Sequence, residues 1–319
     1  MTKILLTTTS YQDTPGAHHD LLESQGYEIQ RERGPLPEET MLDLVGDFDG
    51  ILCGDDAFTR PVLQKCLPKL KVLSKYGIGL DKIDVPAATD LGIPVTFCPG
   101  VNHTTVAEHA FGLMLSLYRQ IPEQNTMVHQ GLWKRMTGHE LMGKTLGILG
   151  LGRIGKEVAK RAAAFEMNFV GFDPYWDEEF ASKYGVERKS QAEDVLKVAD
   201  IVGLHLNLSE KNLHFLNRDR LAMLQPGSVV INTSRGGLVD QEAMAEAIKS
   251  GHLGGYGADV VEPEPIRPDN PLIGLDRVVL TPHIGSRTYE SVGRQAMMAT
   301  KNLIQVLNGE AAVAQANQV

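Results

Sequence analysis

The sequence predicts an α/β protein built from two doubly wound parallel sheets. Strand-like apolar runs alternate with amphipathic helical stretches along the chain, which is typical of parallel strands joined by right-handed helical crossovers. The 319 residues are enough for two domains with large cores. Five strand candidates precede residue 101 and six follow residue 144, and only the second group has a glycine-rich first turn. We therefore expect two successive doubly wound units.

The first unit is predicted from short apolar runs that are bounded by polar or turn residues. Its strands are expected at Ile4–Thr9, Tyr27–Arg31, Gly50–Cys53, Val72–Lys75 and Val95–Cys98. Helices are predicted between them, from amphipathic stretches near His18–Ser24, Glu38–Val45 and Pro61–Leu67. The histidine pair His18 and His19 is expected at a solvated helix start.

The second unit is predicted from six further runs of the same kind. They are Thr145–Leu149, Phe169–Phe172, Ile201–Leu206, Ser228–Asn232, Gly255–Asp259 and Val278–Thr281. Long helical patterns at Thr105–Ile121 and Thr288–Leu307 flank this unit, which suggests that the chain passes twice between the domains. A substrate is then expected opposite the carboxyl ends of the second unit's strands.

A Gly-x-Gly-x-x-Gly turn joins a predicted buried strand to a predicted helix. Its glycines are Gly150, Gly152 and Gly155. The first permits a tight turn, the second lets a pyrophosphate approach the backbone, and the third lets the helix pack close to the sheet. The N–H groups at the start of this helix, around Arg153 and Ile154, would face the phosphates. This context predicts a dinucleotide site.

An acidic residue, Asp173, stands 18 positions after Gly155, at the end of the next predicted strand. In dinucleotide sites such a carboxylate accepts hydrogen bonds from the adenosine ribose hydroxyls, and it would repel the 2′-phosphate of NADP. The following residues, Pro174–Asp177, include no arginine that could bind this phosphate. The sequence therefore predicts NAD as the cofactor.

Composition and charge argue against several classes of partner. A net charge of −9 argues against nucleic-acid or anionic-membrane binding, which needs a basic face. The longest apolar stretch, Ala110–Tyr118, is too short to span a bilayer. Three cysteines without CxxC spacing and an N-terminus without a signal-peptide pattern predict a cytoplasmic protein with free thiols. The ten histidines include no HExxH motif or evident ligand cluster, so no metal site is predicted.

Arg235, Glu264 and His283 follow three successive strand candidates of the second unit. Reduction of a 2-oxo acid by a dinucleotide requires a cation that binds the carboxylate and a group that exchanges a proton near neutral pH. The planar fork of arginine suits the first role, and a histidine oriented by a carboxylate suits the second. Each residue alone is more typical of a solvated or structural position. The three together, beside a dinucleotide motif, favour a catalytic role.

Several segments together resemble the D-2-hydroxyacid dehydrogenase family, which includes phosphoglycerate dehydrogenase and glyoxylate/hydroxypyruvate reductase. The resemblance covers essentially the whole chain. It is carried by KYGIGLD (75–81), VAE (106–108), GKTLGILGLGRIG (143–155), INTSRGGLVD (231–240), ADVVEPEP (258–265) and TPHIGS (281–286). It implies an NAD-dependent oxidoreductase acting on a small 2-hydroxy or 2-oxo acid.

The resemblance also implies a domain plan and an assembly. A Rossmann cofactor domain, residues 102–284, would be inserted in a flavodoxin-like substrate domain formed by residues 1–101 and 285–319. Members of the family usually form homodimers through the cofactor domain. Trp133 would either reach the neighbouring subunit's cleft or lie buried in the dimer interface.

Roles for individual residues follow from the same resemblance. Arg235 would bind the substrate carboxylate, and Glu264 would hold the acid–base residue His283. A substrate-binding loop would comprise Lys75, Tyr76, Gly77, Ile78 and Gly79, with glycine N–H groups facing the substrate carboxylate. Further cofactor contacts would come from Val106, His205, Thr233 and Asp259, the last near the nicotinamide carboxamide.

Two departures from the family pattern affect these expectations. Asn207 stands where the family often has a proline, which loosens the loop after His205. Asp55 and Asp56 follow the third predicted strand, where several phosphoglycerate dehydrogenases have arginine and serine. Two carboxylates there would repel a substrate phosphate unless Arg60 or Lys75 offsets them.

Two other functions on the same fold are possible from the sequence. An NAD-sensing corepressor would retain much of the predicted catalytic set, and tight NADH binding without turnover would distinguish it. A formate dehydrogenase is disfavoured because that family has glutamine where Glu264 stands.

Overall fold

The computed structural model describes residues 1–319 and confirms the α/β class, with one sheet of five parallel strands and one of seven. The chain forms two compact units. The first unit contains Met1–Asn102 and Arg287–Val319, and the second contains His103–Ser286. None of the helices combines the length and the apolar character that a membrane crossing requires.

The first unit alternates short strands and helices. Its elements are β1 (Lys3–Leu6), α1 (Thr9–Asp13), α2 (Ala17–Glu23), β2 (Glu28–Arg31), α3 (Glu38–Leu44), β3 (Gly50–Cys53), α4 (Arg60–Lys65), β4 (Val72–Lys75), α5 (Val85–Asp90), β5 (Val95–Thr96) and, at the end of the chain, α13 (Tyr289–Leu307). The strand order is β2-β1-β3-β4-β5. This is the flavodoxin-like order, in which the first strand lies between the second and the third.

The second unit begins with two helices and continues with seven strands. Its elements are α6 (His103–Arg119), α7 (Ile121–His129), β6 (Thr145–Leu149), α8 (Arg153–Ala164), β7 (Asn168–Phe172), α9 (Glu178–Tyr184), β8 (Val186–Arg188), α10 (Ala192–Leu196), β9 (Ile201–Leu204), α11 (Arg218–Ala222), β10 (Val229–Asn232), α12 (Gln241–Lys249), β11 (Gly255–Ala258) and β12 (Val278–Leu280). The order β12-β11-β10-β9-β6-β7-β8 is the Rossmann order with one further strand.

The prediction of six strands in this unit is wrong by one, because β8 gives almost no apolar signal. Of its three residues only Val186 is buried, and Glu187 and Arg188 are exposed. The strand lies at the edge of the sheet and pairs with β7. An edge strand is stabilised mainly by backbone hydrogen bonds to its one neighbour, so its side chains need not follow an apolar pattern.

Apolar side chains cover both faces of each sheet, as expected when helical crossovers lie on both sides. In the first unit, alternate strand residues face different cores: Leu5, Ile51 and Leu73 belong to one, and Ile4, Leu6 and Leu52 to the other. The helix α13 closes the second of these cores with Ala296, Ala299 and Leu303. The C-terminal helix α13 therefore packs in the same core as the first strand of the chain.

His18 is buried, so the prediction of a solvated histidine pair is wrong for this residue. Its Nε2 lies 3.1 Å from the Tyr11 carbonyl oxygen, and the Tyr11 hydroxyl donates to the His18 carbonyl at 3.0 Å. The same hydroxyl lies 2.9 Å from the Thr300 hydroxyl. Burial lowers the pKa of His18. These contacts join α1, α2 and α13 through polar groups that are satisfied inside the protein.

A buried carboxylate holds the loop after β3. Asp56 is completely buried, and its oxygens accept hydrogen bonds from the Thr7 hydroxyl and from the N–H groups of Gly54 and Leu36. The donors come from three separate segments of the first unit. Asp56 therefore has a structural position, and it is not one of two solvent-facing carboxylates that would repel a phosphate.

Replacing Asp56 with alanine should lower the free energy of unfolding by about 2–4 kcal/mol, because buried donors lose their common acceptor. Urea unfolding measures this change. Asp90→Ala is the matched control, since Asp90 is exposed and only pairs with Arg60 on the surface. Equal stability of the two variants would contradict the structural role of Asp56.

Candidate active site

The glycine turn joins the end of β6 to the start of α8. At Gly150 φ is +100°, and a Cβ atom would lie 2.5 Å from the His205 carbonyl oxygen. At Gly155 a Cβ atom would lie 2.1 Å from the Gly150 carbonyl oxygen. At Gly152 a Cβ atom would meet nothing within 4 Å. Packing within the chain thus requires glycine at positions 150 and 155. At Gly152 there is instead open space beside α8.

The N-terminus of α8 borders this space. Its N-cap residue is Gly152, so no side chain caps the first turn. Arg153 is exposed and Ile154 is half-buried. Uncapped N–H groups and the positive end of the helix dipole make such a terminus suitable for a phosphate.

Asp173 lies next to the glycine turn. It follows β7, and its two carboxylate oxygens accept hydrogen bonds from the N–H groups of Leu151, at 2.6 Å, and Tyr175, at 2.7 Å. Asp173 is half-buried, and a negative charge therefore stands at the edge of the turn. This is the position from which it could bind ribose hydroxyls.

Unpaired buried polar atoms follow the neighbouring strands β9 and β10. The Thr233 hydroxyl and both ring nitrogens of His205 are inaccessible and have no hydrogen-bond partner. Burial lowers the pKa of His205 to about 4, so the ring is neutral. Val106 is also buried, on α6. Buried polar groups are nearly always paired, so these atoms and the space at Gly152 fit a site for a bound polar group such as a dinucleotide.

His283 and Glu264 form a hydrogen-bonded pair. The His283 Nδ1 lies 2.7 Å from the Glu264 Oε2, and about a third of each side chain is exposed. The other Glu264 oxygen accepts a hydrogen bond from the Val261 N–H at 3.2 Å. A carboxylate on Nδ1 orients the ring and fixes the direction in which Nε2 points. The structure thus brings together two of the three residues that the sequence analysis predicts as catalytic.

Arg235 is held close to the loop that carries Glu264. Its carbonyl oxygen accepts a hydrogen bond from the Asn232 side chain at 2.9 Å, and its Nη1 donates to the Ser234 carbonyl at 2.7 Å. At the next residue, Gly236, a Cβ atom would lie 2.1 Å from the Val261 carbonyl. Only glycine permits this approach, so the Arg235 loop packs directly against the loop that follows β11.

Asp259 is buried and shapes the turn that carries His283. Its carboxylate accepts hydrogen bonds from the Thr281 hydroxyl at 2.6 Å, the Ile284 N–H at 2.8 Å and the Gly285 N–H at 2.6 Å. Burial raises the pKa of Asp259, but these hydrogen bonds and one from His109 outweigh it and hold the pKa below its usual value. The carboxylate is therefore charged and already has several donors from its own chain.

The predicted substrate-binding loop lies in the first unit, at the end of β4. Lys75 is only 3% exposed, and its ammonium group donates to the Gly54 carbonyl and to the Asp55 carboxylate, both at 2.6 Å. Burial raises the pKa of the Tyr76 phenol. Gly77 has φ of +123°, a conformation that favours glycine. Ile78 is exposed and Gly79 is half-buried.

The charge of Asp55 is therefore offset by Lys75, one of the two cations considered from the sequence. The other, Arg60, pairs instead with Asp90 at 2.6 Å on the surface. Because Asp56 is buried, the charged pair after β3 consists of the Asp55 carboxylate and the Lys75 ammonium group.

No group of three or more His, Cys, Asp and Glu side chains is arranged to hold a metal ion. The three cysteines are free and buried.

The family model of the D-isomer specific 2-hydroxyacid dehydrogenase, NAD binding domain, matches residues 111–285. The chain belongs to this family. The match lies within the second unit, which contains the glycine turn, Asp173 and the His283–Glu264 pair. The family assignment from the sequence is thus confirmed, and so is NAD as the cofactor of this domain.

Curated relatives have two different named activities. A D-3-phosphoglycerate dehydrogenase of Methanocaldococcus jannaschii is 40% identical over 98% of this chain, which spans 59% of that protein's length. A glyoxylate reductase of Korarchaeum cryptofilum is 37% identical, with 89% of this chain and 87% of the relative covered. The chain is thus much shorter than the first relative and similar in extent to the second.

Solved structures show the same fold over nearly the whole chain. A Thermus thermophilus protein is 36% identical with a TM-score of 0.89, covering 99% of this chain and 100% of its own. A D-lactate dehydrogenase from Aquifex aeolicus, complexed with NAD and lactic acid, is 27% identical with a TM-score of 0.85 and covers 96% of each chain.

Gly152→Ala should weaken NADH binding at least about tenfold, because the added methyl group would occupy the space proposed for the pyrophosphate. The backbone at Gly152 has φ −76° and ψ −163°, which alanine can adopt, so the melting temperature should barely change. Fluorescence titration with NADH and thermal unfolding measure the two effects.

Gly155→Ala is the contrasting variant, since its methyl group would collide with the Gly150 carbonyl. This variant should lose stability. Unchanged NADH affinity in Gly152→Ala would show that the open space beside α8 does not receive the cofactor.

Proposed function

We propose that the chain is an NAD-dependent dehydrogenase that interconverts a small 2-oxo acid and the corresponding D-2-hydroxy acid. The observation that carries this proposal is the 2.7 Å pair of His283 and Glu264 beside the Arg235 loop. All three residues belong to the unit that contains the NAD binding domain. The bound cofactor would supply the hydride as NADH in the reductive direction and accept it as NAD⁺ in the oxidative direction.

His283 is the proposed acid–base residue. Glu264 accepts a hydrogen bond from Nδ1–H, fixes the ring orientation and favours the charged imidazolium. In the reductive direction, Nε2 gives its proton to the oxygen that was the carbonyl oxygen of the substrate. In the oxidative direction, the same nitrogen removes the hydroxyl proton.

Arg235 is the proposed carboxylate-binding residue. Its guanidinium group can bind a carboxylate through two parallel hydrogen bonds and polarise the adjacent carbonyl group. Its backbone is fixed by Asn232 and by the approach of Gly236 to Val261. The Lys75–Gly79 loop of the first unit is proposed as a second substrate contact, through the N–H groups of Gly77 and Gly79.

Both phosphorylated and unphosphorylated 2-oxo acids are candidate substrates. The name of one relative implies a phosphorylated acid, and that of another implies glyoxylate. The Asp55–Lys75 pair does not decide between them, because its two charges offset one another.

A homodimer is the proposed assembly, with the segment from α7 to Trp133 at its interface. The helix α7 has no buried residue, and Ile121, Val128, Leu132 and Trp133 are each more than half exposed. Several exposed apolar side chains along one segment favour an interaction surface there. We also propose a cytoplasmic location, because the three cysteines are free thiols.

NADH oxidation should be observed with at least one of hydroxypyruvate, phosphohydroxypyruvate, glyoxylate, pyruvate and 2-oxoglutarate. His283→Ala should lower kcat by about 10²–10⁴-fold, because it removes the acid–base group. The Kd for NADH should change little. Loss of NADH absorbance and fluorescence titration measure the two quantities.

The conservative variant Glu264→Gln tests the partner of His283 and should lower kcat less than His283→Ala. An equal loss of turnover and NADH affinity in His283→Ala would contradict its catalytic role. Tight NADH binding without turnover of any of the five acids would favour an NAD-sensing protein instead.

Asp173→Ser should reduce the preference for NAD over NADP by about tenfold or more, because the carboxylate that repels the 2′-phosphate is lost. The ratio of kcat/KM values for NADH and NADPH measures this preference. An unchanged ratio would contradict the role assigned to Asp173.

A further inference from the structure

The turn that carries His283 has an unusual backbone and a buried anchor. His283 has φ of +53°, in the left-handed region, and its N–H donates to the Asp259 carbonyl oxygen at 2.8 Å. The N–H groups of the next two residues, Ile284 and Gly285, donate to the Asp259 carboxylate. At Gly285 a Cβ atom would lie 2.8 Å from Asp259 Oδ2, so the turn passes as close to the carboxylate as the backbone allows.

A histidine from another element completes this anchor. His109 lies on α6, and its Nε2 is 2.8 Å from the Thr281 hydroxyl oxygen and 3.3 Å from Asp259 Oδ1. Thr281 has a single hydroxyl proton, which it donates to Asp259 Oδ1 at 2.6 Å. The hydroxyl oxygen must therefore accept from His109, whose Nε2 carries the proton. The His109 N–H thus points to the Thr281 hydroxyl oxygen, with Asp259 Oδ1 as a second and longer contact, and Thr281 donates in turn to Asp259.

We propose that His109 is a positioning residue for the acid–base histidine. This inference rests on the proposed role of His283. His109 bonds to Thr281 and contacts Asp259, whereas Glu264 bonds to His283. It acts through Thr281 and Asp259, whose hydrogen bonds set the path of the turn and thereby the direction of the His283 ring.

Because Asp259 is buried, the loss of His109 as a hydrogen-bond donor should disturb the turn that carries His283. Its side chain is 3% exposed and charged, and a buried carboxylate that loses a donor is strongly destabilised. Without His109 the Thr281 hydroxyl and the carboxylate must rearrange, and the turn can relax from its left-handed conformation. A displacement of about 1 Å at a reacting group can cost about 10²-fold in rate.

Four variants distinguish the effect of losing the His109 and Thr281 hydrogen bonds from the effect of losing side-chain volume. His109→Leu and Thr281→Val remove the two donors, whereas His109→Gln and Thr281→Ser retain an N–H or a hydroxyl group at nearly the same place. His252→Leu is the matched control. His252 is also a half-buried histidine of the second unit, and its Nε2 lies 3.2 Å from the Leu221 carbonyl oxygen.

The measurements are kcat with the best 2-oxo acid, the Kd for NADH, the melting temperature and the solvent deuterium isotope effect on kcat. His109→Leu and Thr281→Val should lower kcat about 10–100-fold and leave the NADH Kd nearly unchanged. The solvent isotope effect should rise, because proton transfer through a displaced His283 becomes slower. His109→Gln and Thr281→Ser should recover most of the lost kcat, and His252→Leu should retain it.

Several outcomes would overturn the proposal. Normal kcat in His109→Leu would show that the donor is not needed. An equal loss in His109→Leu and His109→Gln, or a loss of kcat matched by losses of NADH affinity and melting temperature, would show a purely structural role. Absence of turnover by the unsubstituted chain would contradict the proposed function itself, whereas the other outcomes contradict only the role of His109.

Discussion

The alignment of parallel strand ends is the constraint on which the candidate active site depends. Asn232 pairs with Ala258 and Ala258 with Leu280, so the loops after β10, β11 and β12 leave one edge of the sheet side by side. Neighbouring strands lie about 4.8 Å apart, a distance that side chains on adjacent loops can bridge. The pair of Glu264 and His283, at 2.7 Å, follows from this register, as does the contact between the Arg235 loop and Val261.

Two kinds of buried polar group lie near the carboxyl ends of strands in the two units. Asp259 in the second unit and Asp56 in the first are fully supplied with donors from their own chain, and each fixes a loop at the carboxyl end of a strand. Thr233 and His205 are the opposite case, because their buried polar atoms have no partner. Satisfied groups make the loops rigid, and unsatisfied groups mark where a ligand can complete the hydrogen bonding.

The family match identifies the class of chemistry but does not identify the substrate. The glycine turn, Asp173 and the His283–Glu264 pair lie within the second unit, in the region that matches the NAD binding domain model. The Asp55–Lys75 pair lies in the first unit, outside the region that matches the family model. Their charges offset each other, which removes the simple electrostatic argument against a phosphate that the sequence suggests.

The sequence by itself determined the features that local patterns encode. Both sheets, the glycine turn and the acidic residue after β7 follow from periodicity and spacing within short segments, since strands with two buried faces and tight turns constrain nearby residues. Only the tertiary structure decided which polar side chains are buried and what they contact. It buried His18 and Asp56, joined β8 to the sheet edge, and paired Lys75 rather than Arg60 with Asp55. It also brought His109 to Thr281 across 172 positions. Such contacts depend on the packing of distant segments, and no local pattern specifies them.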